Sequence, residues 1–241
     1  MNNLDKEKWK PLFGTWWFKI EKFFDAGGFD PIYAYLKKEG NRGKLICPPS
    51  SLTFRCFLET PLDDMKCAMF GLSPYHTMRS NKLIADGLLM GCSTTNSLQP
   101  SLLKFYEAIE REMYRDIYHI KNPDVSYLAK QGVLMCNAAL TTGFRKAGNH
   151  VEIWEPFMKF LFEEIINITA VPVIFLGEKA SKMEKYILPL YGTYVFKLAH
   201  PASAAYNDGD WSTNGAFKSV NKILKERHGE EIKWLDMPDL F

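Results

Sequence analysis

The sequence predicts an α/β fold: a three-layer α/β/α sandwich with a central, mostly parallel four-stranded sheet. Four short apolar runs indicate buried strands, because each ends at a glycine or a polar residue where a loop would begin. Helical patterns separate these runs, and strands that alternate with helices favour a parallel sheet covered on both faces. The four runs are 66–70, 132–137, 171–176 and 194–198.

The segment before the first strand is predicted to be helical. Apolar and aromatic residues recur at steps of three and four over 9–24, which is typical of one buried helix face. Gly27 and Gly28 interrupt the pattern, and a second helix is expected over 31–40. A loop and a short helix over 52–57 then lead into the first strand.

Helices are also expected after the later strands. Pro100 and Ser101 begin a helix that runs to Arg115, with the Ser101 hydroxyl as its N-cap. The apolar period predicts three more helices, over 154–166, 178–186 and 217–227.

Composition favours one globular domain. The chain has 241 residues, 46% of them hydrophobic, so residues 1–241 are expected to fold as one domain with a full core. The five cysteines are odd in number and form no CxxC pair, which predicts buried thiols and an intracellular location, in cytoplasm, nucleus or a virus-infected cell. No signal peptide or membrane span is predicted. The net charge of +2 permits nucleic-acid binding without arguing for it.

Polar side chains follow each predicted strand. Because the carboxyl ends of parallel strands meet at one edge of the sheet, where such folds bind ligands, we expect a site there. These side chains are Ser73, Tyr75 and His76 after the first strand, Asn137 after the second, Glu178 and Lys179 after the third, and His200 after the fourth.

The motifs around these residues resemble those of family 1 uracil-DNA glycosylases. Residues 71–76, GLSPYH, are similar to the family's GQDPYH loop, and residues 132–140, GVLMCNAAL, to its GVLLLNxxL strand. Residues 99–102 resemble its proline-rich loop, and residues 199–201 the start of its minor-groove reading loop. The order and spacing of the motifs hold over nearly the whole chain.

The resemblance implies a monofunctional DNA glycosylase. Such an enzyme hydrolyses the N-glycosidic bond of a uracil, or a related pyrimidine, that has been flipped out of DNA. It uses water and neither a cofactor nor a metal. DNA is therefore the expected partner, a monomer is the expected state, and a protein partner stays open.

The resemblance also implies which residues bind the base. Asn137 would pair with uracil O4 and N3–H, a pattern that cytosine reverses. Tyr75 would lie against C5 and exclude the methyl group of thymine. Leu72 and Met90 would line the same pocket, with Met90 in place of a stacking phenylalanine.

Catalysis is implied at His200 and Ser73. A neutral His200 would donate a hydrogen bond to O2 of the leaving base. Ser73 stands where the family has a water-orienting aspartate, and loss of such a group costs about 10²–10⁴ in rate, so reduced activity is expected. Asp86, on the following loop, is either a relocated carboxylate or a solvated loop or cap residue, and the second interpretation is favoured.

Contacts to DNA are implied on three segments. Ala204 would stand at the position of the family's leucine that fills the gap left by the flipped base. The residues implied to contact DNA are His76, Pro100, Ser101, Pro201, Ser203 and Ala204.

Two other functions stay open on the sequence. Without the aspartate, the chain could be a catalytically impaired relative that binds DNA or another protein through the same scaffold. With Leu72 and Met90 reshaping the pocket, it could remove a modified pyrimidine.

Overall fold

A four-stranded parallel sheet forms the centre of the protein in a computed structural model, which describes residues 4–115, 119–207 and 209–237. In chain order the strands are β1 (Ile46–Cys47), β2 (Cys67–Gly71), β3 (Met78–Arg79), β4 (Lys82–Leu83), β5 (Val133–Asn137), β6 (Thr142–Gly143), β7 (Val173–Leu176) and β8 (Val195–Leu198). The α-helices are α1 (Lys6–Trp9), α2 (Trp17–Asp25), α3 (Asp30–Asn41), α4 (Arg55–Glu59), α5 (Pro100–Met113), α6 (Ser126–Ala129), α7 (Val151–Leu161), α8 (Asn167–Thr169), α9 (Glu178–Ser181), α10 (Pro201–Tyr206) and α11 (Ala216–His228).

The central sheet has the order β5-β2-β7-β8 with all neighbours parallel. The register places Gly71, the last residue of β2, beside Asn137, the last residue of β5. For the other two strands, β7 and β8, the carboxyl ends also lie side by side, because the amide of Gly177 donates to the carbonyl of Leu198 at 2.8 Å. All four strands therefore end at one edge, and the predicted α/β fold class is confirmed.

Burial explains why the strands were visible as apolar runs. Every residue of β2, β5 and β7 is buried, because helices cover both faces of the sheet. The edge strand β8 is only partly buried.

The N-terminal aromatic stripe is part of the core, but the helix predicted to carry it is interrupted. Phe13, Trp16 and Phe24 are buried together. Pro11 lies in a 3-10 turn between α1 and α2, and Gly14 follows with a φ of +52°. Proline cannot donate a backbone hydrogen bond and the left-handed glycine redirects the chain, so one continuous helix over 9–24 was the wrong prediction.

Three local predictions are also corrected. The N-cap of α5 is Gln99, and the hydroxyl of Ser101 makes no cap bond. The segment after β8, predicted as a loop, forms α10, which begins at His200 as its N-cap. The helix predicted over 154–166 begins earlier, as α7, and ends in a π-helical turn, Phe162–Ile166.

All five cysteines are buried and unpaired. In the part of the chain that the structure describes, no helix has both the length and the apolar character of a membrane span. Within the same residues, no three His, Cys, Asp or Glu side chains gather as metal ligands would.

Candidate active site

A pocket with a volume of about 460 Å³ opens at the carboxyl edge of the sheet. Its walls come from the loop after β2, the loop after β4, the start of α5, and α10. The structure thus brings together most of the side chains selected from the sequence. Those that line the pocket are Leu72, Ser73, Tyr75, His76, Met90, Pro100, Ser101 and His200.

The helix that His200 begins sets the tautomer of its neutral ring. Its Nδ1 accepts a hydrogen bond from the amide of Ala202 at 3.1 Å. Burial lowers the pKa of this imidazole, which favours the neutral ring. A neutral ring with Nδ1 as acceptor carries its proton on Nε2, so His200 has one N–H left to donate.

Ser73 is held by the chain segment before α7. The amide of Gly148 donates to Ser73 Oγ at 3.0 Å. Gly148 has a φ of +69°, a left-handed conformation that favours glycine, and a Cβ there would lie 2.9 Å from Cδ2 of Leu72. Ser73 therefore keeps its own hydroxyl hydrogen for donation, to a water for example.

Asn137 presents a buried acceptor without a partner. Its side chain is 4% exposed, and its Oδ1 has no hydrogen bond to the described residues. A Cβ on Gly71 would lie 2.8 Å from this oxygen and 2.4 Å from Cδ1 of Leu89. Asn137 thus lies beside Leu89. Leu89 lines the pocket, and Asn137 does not. An unpaired buried carbonyl oxygen is costly, and it indicates a group that awaits a donor.

Tyr75 is positioned by the start of α5. Its hydroxyl and that of Ser101 share a hydrogen bond of 2.6 Å. Burial raises the pKa of Tyr75, so the phenol stays neutral. Ser101 is 4% exposed, and its hydroxyl orients the pocket tyrosine. Its contact with DNA stays a prediction.

Asp86 is not a relocated catalytic carboxylate. It is fully buried and does not line the pocket. Its carboxylate pairs with Arg55 at 3.0 Å and accepts the amide of Leu88 at 3.1 Å. The favoured interpretation, a solvated loop or cap residue, is corrected as well: Asp86 belongs to its loop but is buried and stabilises it from inside.

The predicted DNA-contacting residues divide into exposed and buried ones. His76 and Pro100 line the pocket, and Ser203 is exposed, although its hydroxyl donates to the carbonyl of His200 at 2.7 Å. Pro201 and Ala204 are buried where α10 packs on the core. Their contacts with DNA stay predictions, and Ala204, at 9% exposed, offers little side-chain surface to a DNA stack in this conformation.

The aromatic side chain at the mouth of the pocket is Tyr206, which the sequence reasoning missed. It is 87% exposed, ends α10, and lines the pocket together with Ala202 and Ala205. These three residues share one helix face by their spacing. That spacing could have revealed Tyr206 only if the Ala-rich segment had been recognised as a helix.

Comparisons with known proteins identify the family. Residues 60–225 match the family model of the uracil DNA glycosylase superfamily. The uracil-DNA glycosylase of Pseudomonas paraeruginosa is 31% identical over 235 residues, which cover 95% of this chain and 96% of that protein. The uracil-DNA glycosylase of Streptococcus pneumoniae is 30% identical over 224 residues, 92% of this chain and 98% of that protein.

Solved structures show the same fold. The crystal structure of mimivirus uracil-DNA glycosylase has a TM-score of 0.77 at 22% identity, covering 93% of this chain and 86% of that one. A mimivirus UNG variant in complex with UGI has a TM-score of 0.79, also at 22% identity, over 92% of this chain and 88% of that one. On its family match and its relatives, the chain belongs to the uracil-DNA glycosylase superfamily.

Proposed function

We propose that this protein is a DNA glycosylase that hydrolyses the N-glycosidic bond of a flipped-out uracil in DNA. The observation that carries the proposal is the site at the sheet edge. There a neutral histidine with a free N–H lines a pocket, and a buried asparagine with an unpaired oxygen lies beside it. Full-length relatives named uracil-DNA glycosylase support the same activity.

Base recognition is assigned to Asn137. Its unpaired Oδ1 would accept the N3–H of uracil, and its amide N–H would donate to O4. Cytosine carries an acceptor at N3 and a donor at position 4, so both groups of Asn137 would be left unpaired or opposed. Tyr75, fixed by Ser101, would form the wall at C5.

Bond cleavage is assigned to His200 and water. As the C1′–N1 bond breaks, its electron pair leaves with the base, and negative charge develops on O2. The Nε2–H of His200 would stabilise that charge without transferring a proton. A water oxygen then bonds to C1′ and loses a proton to solvent, and the uracil anion takes up a proton from solvent, which yields free uracil and an abasic site.

We propose a low rate, because the described residues that line the pocket include no carboxylate. Ser73 would orient the water through its hydroxyl but cannot offset the positive charge that develops on the sugar. The loss of such a group costs about 10²–10⁴ in rate. The same observation favours a second candidate function, a catalytically impaired relative that binds DNA or a protein partner.

Duplex DNA is the proposed partner, in an intracellular location. Tyr206 would insert its exposed ring into the base stack beside the flipped nucleotide, as apolar wedges and stacking aromatics do. It would take the role that the sequence motif assigned to Ala204.

One assay separates the two candidate functions. Single-turnover incubation with uracil-containing single- and double-stranded oligonucleotides should release free uracil if the protein is a glycosylase. Binding to the same oligonucleotides without release would favour the impaired relative.

A further inference from the structure

The loop after β4 supplies Leu89 and Met90 to the pocket, and it is folded around one buried carboxylate. Oδ1 of Asp86 accepts the amide of Leu88 at 3.1 Å. Oδ2 accepts the amide of Ser93 at 3.1 Å and its hydroxyl at 2.7 Å. The carboxylate thus ties both ends of residues 86–93 together.

Two glycines let the loop close this tightly. A Cβ on Gly91 would lie 2.1 Å from Oδ1 of Asp86. Gly87 has a φ of +92°, and a Cβ there would lie 2.0 Å from the carbonyl oxygen of Leu52. Neither position therefore has room for a side chain, and the carboxylate fills the interior of the loop.

Arg55 on α4 neutralises the buried carboxylate. Its Nη1 lies 3.0 Å from Oδ2 of Asp86, its Nη2 3.0 Å from Asp124, and its Nε 3.1 Å from Glu59. The Asp86 carboxylate is fully buried and the Arg55 side chain is 15% exposed. A buried charge needs a partner, so the position of the loop is coupled to that of the guanidinium.

Met90, which this loop places at the pocket, has an unusual backbone conformation. Met90 has a φ of +59°, a left-handed conformation that methionine rarely adopts. Such a conformation persists when surrounding contacts determine it, and it is common next to binding sites. The amide of the preceding Leu89 donates to the carbonyl of Met135 at 2.9 Å, which anchors the loop to β5.

We propose that Asp86, held by Arg55, is a positioning residue for the base pocket. It touches no substrate and acts by fixing Met90 where a flipped base would lie. This inference rests on the proposed function, since it takes a pyrimidine as the occupant of the pocket. The Asp86–Arg55 pair, which lies outside the pocket, would thus control how tightly the pocket binds a base.

The test compares Asp86→Asn with the matched control Asn221→Ala. Asn221 is also buried and makes three hydrogen bonds, to the backbone of Ile232 and to Trp234, but α11 contributes nothing to the pocket. Two readouts are used: inhibition of cleavage by free uracil, and the NMR signal of the Met90 ε-methyl group, assigned with Met90→Leu.

In Asp86→Asn we expect free uracil to bind about tenfold more weakly, which is the size of effect seen when contacting residues are coupled. The NMR signal of the Met90 ε-methyl group should shift or broaden. The control should lose stability and change neither readout. Ser93→Ala, which removes one hydrogen bond to the same carboxylate, should give a smaller change of the same kind, and it replaces Asp86→Asn if that variant does not fold.

Unchanged uracil inhibition and an unchanged Met90 signal in folded Asp86→Asn would overturn the inference, as would equal changes in Asn221→Ala. A wild type that neither cleaves uracil DNA nor binds uracil overturns the proposed function. In that case the Met90 signal alone still decides whether Asp86 positions the loop.

Discussion

Nδ1 of His200 lies 3.1 Å from the backbone nitrogen of Ala202 and accepts its hydrogen. The same bond caps α10 and sets the tautomer of the imidazole, because a nitrogen that accepts cannot carry the proton. The start of the helix and the proposed leaving-group donor are therefore one structural feature. Substitutions at this position can separate the two roles.

We expect His200→Asn to keep the helix and lose the chemistry. Asparagine is among the best N-cap residues, so the free energy of unfolding should stay within about 1 kcal/mol of wild type. Removal of one donor to a developing oxyanion costs about 10²–10³ in rate, so uracil release should fall by that factor. Urea unfolding and single-turnover cleavage measure the two effects. Full activity in the folded variant would show that His200 is not the donor.

The buried histidine also predicts a pH dependence of stability. Burial lowers the pKa of His200 in the folded protein, so below the ordinary histidine pKa of about 6.5 the unfolded chain binds more protons than the folded one. The free energy of unfolding should therefore be fully present above that pH and fall as the pH drops towards 5. In His200→Asn the decrease should be smaller. Burial also lowers the pKa of His150, which titrates in both proteins. If the free energy of unfolding falls with pH at the same slope in wild type and His200→Asn, His200 contributes nothing to this pH dependence.

The sheet was predictable from the sequence, and the orientation of α10 was not. Buried parallel strands appear as continuous apolar runs, so β2, β5, β7 and β8 were placed within two residues. By contrast, the Ala-rich segment after His200 has no apolar period that would reveal a helix. Without it, the burial of Ala204 and the exposure of Tyr206 could not be assigned.

The role of Asp86 was hidden for a different reason. Its partner Arg55 is separated from it by 31 positions, and the pair exists only because α4 packs against the loop. No local pattern shows such a contact, so the sequence favoured a solvated loop or cap residue over a relocated carboxylate and did not reveal the buried ion pair. The break at Gly14 was missed because the aromatic period continues across it.

Asn137→Asp should weaken discrimination between uracil and cytosine. An ionised aspartate offers only acceptors, so the donor to uracil O4 is lost while the acceptor remains. The ratio of cleavage rates on uracil- and cytosine-containing oligonucleotides measures this change. Should a folded Asn137→Asp retain the base preference of wild type, the assignment of Asn137 to base recognition is wrong.

Tyr206→Ala should impair cleavage in duplex DNA more than in single strands. A single-stranded uracil needs no unstacking, so a ring that stabilises the flipped state matters mainly in the duplex. Stacking of an aromatic ring on a base contributes about 1–3 kcal/mol, which corresponds to a loss of at least fivefold. Leu190→Ala, a change at another highly exposed apolar residue outside the pocket, is the control. Equal losses on both substrates would exclude this role for Tyr206.

Ser73→Asp should raise the rate of uracil release. A carboxylate at this position would face the sugar and could accept the amide hydrogen of Gly148 that Ser73 now accepts. The gain should reach up to about 10²-fold, on the scale of general-base effects. If cleavage stays near zero while binding to DNA is unchanged, the scaffold is a binding module.

Uracil excision by a pocket whose described lining residues include no carboxylate is tested by single-turnover release of free uracil by the wild-type protein. With enzyme in excess over a uracil-containing duplex, we expect slow, measurable release that leaves an abasic site and is nearly absent in His200→Asn. A folded wild-type protein that binds the duplex and releases no uracil would contradict it.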